Sequence, residues 1–177
     1  MTALQLNDLK ITPRDGDYVY MPNVPQPHNV IVSPNQATAL KAGDIVTIDT
    51  TVANAHCPVI KKAAVNDPIF GVIPYDDRKN TYSAKEKTQV AVEGSYLYKI
   101  AGGSITQGAK LYFTSTGTVT ATATAGNSIL GIANTTAASG DFVQVKLKFE
   151  TTTAEAETNV TPEVSTPAEP TPSTPGN

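Results

Sequence analysis

The chain has 177 residues, a net charge of −3, no Trp and only 6% aromatic residues. That is room for one ordinary domain plus extensions, and it excludes the basic face of a nucleic-acid binder. No stretch approaches the roughly 20 apolar residues that a membrane helix needs.

Residues 1–36 read as an extended arm. Prolines 13, 22, 25, 27 and 34 interrupt it, and Met21–His28 has the composition of polyproline-like chain. The start, Met1 to Lys10, has neither the basic lead nor the apolar core of a signal peptide, so synthesis and folding in the cytoplasm are expected. Tyr18, Val19 and Tyr20, and later Val30, Ile31 and Val32, are β-prone islands in the arm. They are candidate partner contacts, able to add as strands to an edge elsewhere. Asn29–Val32 is expected as an edge strand leading into the body.

Residues 37–149 read as an all-β body. Gly43, Asn66-Asp67-Pro68, Gly94, Gly102-Gly103, Gly108, Gly117, Gly126-Asn127 and Gly140-Asp141 set turns at the rhythm of a sandwich or barrel. Between them the pattern is period two, as in Gln144–Phe149, where Val145, Leu147 and Phe149 share one face. Helical turns are expected only near 33–40 and 76–81. One phrase occurs twice, over about 41–94 and 107–149. Lys41–Ile48, Ile69–Ile73 and Gln89–Val92 are matched by Gln107–Phe113, Ile129–Ala133 and Gln144–Leu147. Each copy is a Gly-led turn, a short strand, a hairpin, a strand centred on Gly71 or Gly131, and an alternating closing strand. Phe70 and Leu130 are expected in the core.

Residues 150–177 form a tail rich in Thr, Pro and Glu. Four Glu and no Lys or Arg fall in 151–177, so removing −4 from −3 leaves the rest near +1. Such a composition cannot bury enough apolar surface to fold alone. It is expected to be dispensable for folding and to act outside the body.

The chain carries few residues at spacings that suit catalysis or metal binding. His56-Cys57 has no further ligands at zinc spacing, and Cys57 is the sole cysteine, so no disulfide forms within the chain. Asp15-Gly16-Asp17 and Asp76-Asp77 lack the spaced oxygens of a calcium loop and read as turn caps. No catalytic, cofactor-binding or metal-binding residues are assigned; the expectation is a protein that is not an enzyme. Tyr75, Arg78 and Tyr82, in the long loop that follows Ile69–Ile73, complete the contact candidates, because Tyr and Arg favour interface centres.

Ala42–Val46, Val59–Ala63, Ile69–Ile73, Tyr82–Gly94, Ile105–Leu111 and Ile129–Ala133 together resemble the decoration, or structural cement, proteins of tailed-bacteriophage capsids. In that family a Gly-Glu leads the closing strand; Lys85-Glu86 stands there instead. The resemblance covers about 37–149 and neither the arm nor the tail. It implies a small β-barrel, β-tulip or sandwich domain on the outer surface of the virion, often a trimer, clamping neighbouring major capsid proteins. Self and the major capsid protein are then the partners, with no nucleic acid and no membrane. The other reading is a surface-displayed β-domain that binds carbohydrate or a host surface, which the lack of Trp disfavours.

Overall fold

The computed structural model describes residues 12–19, 25–53, 56–124 and 126–151. Among them are twelve strands and no helix, so the helical turns expected near 33–40 and 76–81 are instead turns and loop around short strands. Ser33-Pro34 opens one of those turns, and Pro cannot continue a strand or sit inside a helix.

The first seven strands are His28–Val32 (β1), Leu40–Lys41 (β2), Ile45–Ile48 (β3), Val59–Lys62 (β4), Gly71–Val72 (β5), Thr81–Tyr82 (β6) and Lys87–Val90 (β7). Five of them form one sheet in the order β5-β3-β4-β1-β7. The Val72–Ala91 bridge returns β7 to β5, with main-chain bonds of 3.0 and 2.8 Å in the two directions. The sheet thereby closes into a small barrel.

The remaining strands are Tyr96–Ile100 (β8), Lys110–Phe113 (β9), Val119–Thr120 (β10), Ile129–Ala133 (β11) and Phe142–Glu150 (β12). They form a second sheet in the order β10-β9-β11-β12-β8. A parallel bridge, Ala101–Val119, closes it in turn.

The two sheets have one topology. In chain order, β1, β3, β4, β5 and β7 correspond to β8, β9, β10, β11 and β12, including the parallel contact between the first and third of each set. Small features repeat as well. Gly43 and Gly108 take φ of +82° and +86° and donate to Ile73 and Ala133 carbonyls at 2.8 Å each. The Leu40–Tyr82 pair of β2 and β6 has its match in the isolated Ile105–Ala137 bridge. Lys85 has φ +68° where its counterpart Gly140 has +87°. A lysine there pays a steric cost that glycine avoids.

Both central glycines are forced by contact. A Cβ on Gly71 would lie 2.7 Å from the Ala91 carbonyl oxygen, and one on Gly131 would lie 2.2 Å from that of Lys146. The closing strand crosses too near in each barrel for any side chain.

Alternation sorts the core. Val30, Val32, Val46, Ile60, Ile73 and Val90 fill the first barrel. Ile45, Val72 and Ala91 face the other way and join Leu97, Leu111, Leu130, Val145 and Leu147 in a second cluster, which welds the barrels together. Leu130 is fully buried, as expected. Phe70 is only partly buried and packs at the rim of the first barrel, its ring 6.2 Å from that of His28.

The boundary at residue 36 moves. β1 lies inside the first sheet between β4 and β7, not at an edge. The segment Gly16–Val19 lies along β8: Gly16 and Val19 donate to Tyr98 and Tyr96 carbonyls at 2.8 and 2.9 Å, and Tyr98 donates to Asp17 at 2.9 Å. Strand addition by the arm thus occurs within its own chain. The tail beyond Thr151 lies outside the described residues.

Candidate functional site

Lys99 fastens the arm to the body. It lies in phase with Leu97 and Ala101 on the inward face of β8 and is fully buried. Its ammonium donates to the Gly43 carbonyl at 2.6 Å and to the Asp15 carboxylate at 2.8 Å. Burial pushes the Lys99 pKa down, and the charge of Asp15 opposes that shift. The neighbouring Gly16, with φ +88°, sits where a Cβ would meet Gly43 N at 2.7 Å. Arm, turn 42–44 and β8 therefore meet at one point. Asp17 does cap its turn, accepting from Arg14 N at 2.7 Å, but Asp15 is the partner of a buried lysine. The period-two pattern of Tyr96–Ala101 carried that signal, because it puts Lys99 on the apolar face.

Beside this junction an open groove of about 590 Å³ runs between the arm and β7. Tyr18, Tyr75, Arg78 and Tyr82 all line it, together with Lys87 and Gln89 of β7. Four contact candidates from two distant parts of the sequence thus share one surface. Tyr18 is 37% exposed, and desolvation pushes its phenol pKa up. Tyr82 is nearly buried and donates its hydroxyl to the Lys79 carbonyl at 2.7 Å.

The other candidates lie elsewhere. Val30 and Val32 are fully buried in the first barrel. Ile31 lies on its outer face, half-buried, and its N–H bonds the Pro58 carbonyl. These three are therefore placed as an interior strand, with both edges already paired. Val19 is 8% exposed against β8. Tyr20 falls outside the described residues.

Charges around the groove are mostly spoken for. Arg14 bonds the Tyr75 hydroxyl, stacks 4.6 Å above that ring, and pairs with Asp77 at 2.8 Å. The Asp77 bond, above all, raises the Arg14 pKa. Lys79 pairs with Glu86 at 2.8 Å and lowers its pKa. Asp76 caps the loop by accepting from Arg78 N at 2.8 Å. Arg78 and Lys87 are left without a carboxylate partner among the described residues.

Pro74 explains why a groove exists here. In the second barrel the corresponding residue is Asn134, whose N–H bonds the Gln144 carbonyl at 2.7 Å, while Gln144 N bonds Thr135 Oγ1 at 3.1 Å. The closing strand is thus zipped to its neighbour. In the first barrel Pro74 has no N–H to give. The chain turns away, and Tyr75 N bonds the Gly16 carbonyl at 3.0 Å instead. β5 therefore stops at Val72, and β7 stands alone beside the groove from Lys87 to Gln89. Sequence reading passed over Pro74, although aligning the two copies places it against Asn134.

Among the described residues no three His, Cys, Asp or Glu side chains gather to hold a metal ion. Cys57 donates its thiol to the Asn29 carbonyl at 3.1 Å. The groove surface presents aromatic rings, charge and main-chain groups.

The family profile described as phage cement protein matches residues 25–149, an interval that takes in β1 and both barrels. No curated protein sequence matches. Among solved structures, the crystal structure of the head fiber gp8.5 N base of bacteriophage phi29 is similar at 18% identity and a TM-score of 0.48, covering 70% of this chain and 93% of that one. With the match spanning the whole twin-barrel body, the chain belongs to the phage cement protein family and is a capsid-associated structural protein.

Proposed function

We propose that the protein decorates the outside of a phage head and stabilises contacts between neighbouring major capsid proteins. It does so by binding rather than by turning over a substrate. The observation that carries this reading is the family match across residues 25–149. Two features support it: a body made of two fused barrels, and a groove on its flank lined by Tyr18, Tyr75, Tyr82 and Arg78. Copies of the chain act together on the lattice, as a trimer, so that several modest contacts add into avidity. A ligand that binds only the assembled shell stabilises it by mass action.

The test uses purified heads with and without the protein. Bound stoichiometrically to the shell, it should raise the temperature at which heads rupture. Equal rupture temperatures at full occupancy would remove the cement role, and failure to bind heads at all would remove the capsid reading.

A further inference from the structure

The groove beside β7 is an open strand site inside an otherwise zipped barrel. Ala91 exchanges both of its main-chain bonds with Val72. Main-chain groups on a strand point to the same side at every second residue, so Gln89 and Lys87 direct theirs to that side too. Their cross-strand partners on β1 agree. Asn29–Gln89 and Ile31–Lys87 are paired in register, but Ile31 N turns the other way, to Pro58. On the groove side, Gln89 meets no main-chain partner among the described residues; the Thr88 hydroxyl reaches its carbonyl at a long 3.4 Å. In the second barrel the same position is filled at both groups. The vacancy is therefore specific to one barrel, and it has a cause in Pro74.

The charges beside it have a sign. Asp77 is taken by Arg14 and Glu86 by Lys79. The cations Arg78 and Lys87 have no such partner among the described residues, and of the two carboxylates lining the groove only Asp76 is outside an ion pair. Tyr18 and Tyr75 wall the groove with rings on which an extended chain can lie.

We infer that this slot takes an extended, acidic segment of the capsid protein as an added strand. The segment pairs by main chain with Lys87 and Gln89 and sets a carboxylate against Arg78 and Lys87. The inference rests on the capsid reading above and names the chemistry of the contact. Main-chain pairing supplies affinity, and the side-chain walls supply choice.

The experiment binds the full-length protein to undecorated heads of its phage and reads occupancy against concentration and salt. Gln89→Pro deletes the outward N–H and leaves the main-chain ladder to β1 in place, losing only the exposed side-chain bond from Gln89 Nε2 to Asn29 Oδ1. Arg78→Glu with Lys87→Glu reverses the free charges, and Lys110→Glu on the second barrel serves as the control. Gln89→Pro should weaken binding about five- to tenfold, as for the loss of one such bond. The charge reversal should weaken it by at least as much and flatten its salt dependence, while the control should bind as wild type. Hydrogen exchange on the wild-type protein gives a readout independent of any variant: the Lys87 and Gln89 amides should become protected on heads.

Unchanged occupancy for both groove variants, with wild type bound, overturns the slot and leaves the cement role standing. Loss with the charge reversal alone, without amide protection, overturns strand addition. Amide protection already present in the free protein and abolished by truncation after Thr151 assigns the slot to the chain's own acidic tail, and also overturns the proposal. Wild type that does not bind heads removes the slot's occupant and the capsid reading together.

Discussion

Replacing Gly131 with alanine should cost far more than an ordinary glycine-to-alanine change in a strand, which by entropy alone favours alanine. The added methyl would sit 2.2 Å from the Lys146 carbonyl oxygen, 3.0 Å from its carbon and 3.0 Å from Val145 Cγ1. Bringing the oxygen to a tolerable 3.0 Å requires the strands to part by about 0.8 Å. Both strands are held at that point: β11 pairs with β9 on one side and with β12 on the other. Overpacking of this kind typically costs 1–3 kcal/mol, and here the obstacle is backbone, so about 3 kcal/mol is expected. Gly71→Ala meets the Ala91 oxygen at 2.7 Å and needs only about 0.3 Å, so about 1–2 kcal/mol is expected. Denaturant melts of the two variants and the wild type would measure both. Gly131→Ala should lower Tm by on the order of 10 °C and Gly71→Ala by roughly half that. A Gly131→Ala protein within 1 kcal/mol of wild type, or a reversed order, would refute the close-crossing account of the closing strands.

Lys85→Gly should stabilise the protein by about 0.5–1 kcal/mol in the same melts, because relief of the left-handed strain outweighs the entropy of glycine. Asp15→Asn should be the more damaging half of the arm lock, at about 3 kcal/mol or more, since it leaves the fully buried Lys99 amine without its carboxylate, to be buried as an unpaired charge or to give up its proton. Lys99→Met should cost less, because Asp15 is 27% exposed and can rehydrate; equal losses would argue against a buried cation as the keystone. Asp49 is held below the ordinary carboxylate range first by the Ser33 hydroxyl at 2.6 Å and then by Thr51. A depressed folded pKa contributes stability that is present above the ordinary value of 3.8 and is lost as pH falls through the folded value. Ser33→Ala should therefore move the acid limb of the stability curve to higher pH; an unshifted limb would show that the Ser33 bond does not set that titration.

Much of the architecture was legible because it is written twice. The Gly-led turns, the hydrophobic-Gly-hydrophobic strands and the alternating closing strands each appear in both halves, and each is a local signal. The first strand of each barrel was harder to read. Asn29–Val32 follows a run of prolines and so looks like part of an arm, yet it is the strand to which both β4 and β7 pair. Pairing between segments distant in sequence leaves no mark on local composition. The same limit hid the Lys99–Asp15 contact. The groove was half legible: Tyr18, Tyr75, Arg78 and Tyr82 stood out by residue type, but only the fold brings them together. What opens the groove is a missing N–H at Pro74, which has meaning only against Asn134 in the other barrel.

The twin barrel is proposed to strengthen a phage head by binding it. The most direct measurement is the thermal rupture of isolated heads, followed by release of their DNA, as purified protein is titrated onto heads that lack it. The rupture temperature should rise with occupancy and level off when the shell is saturated. A rupture temperature independent of occupancy would contradict it.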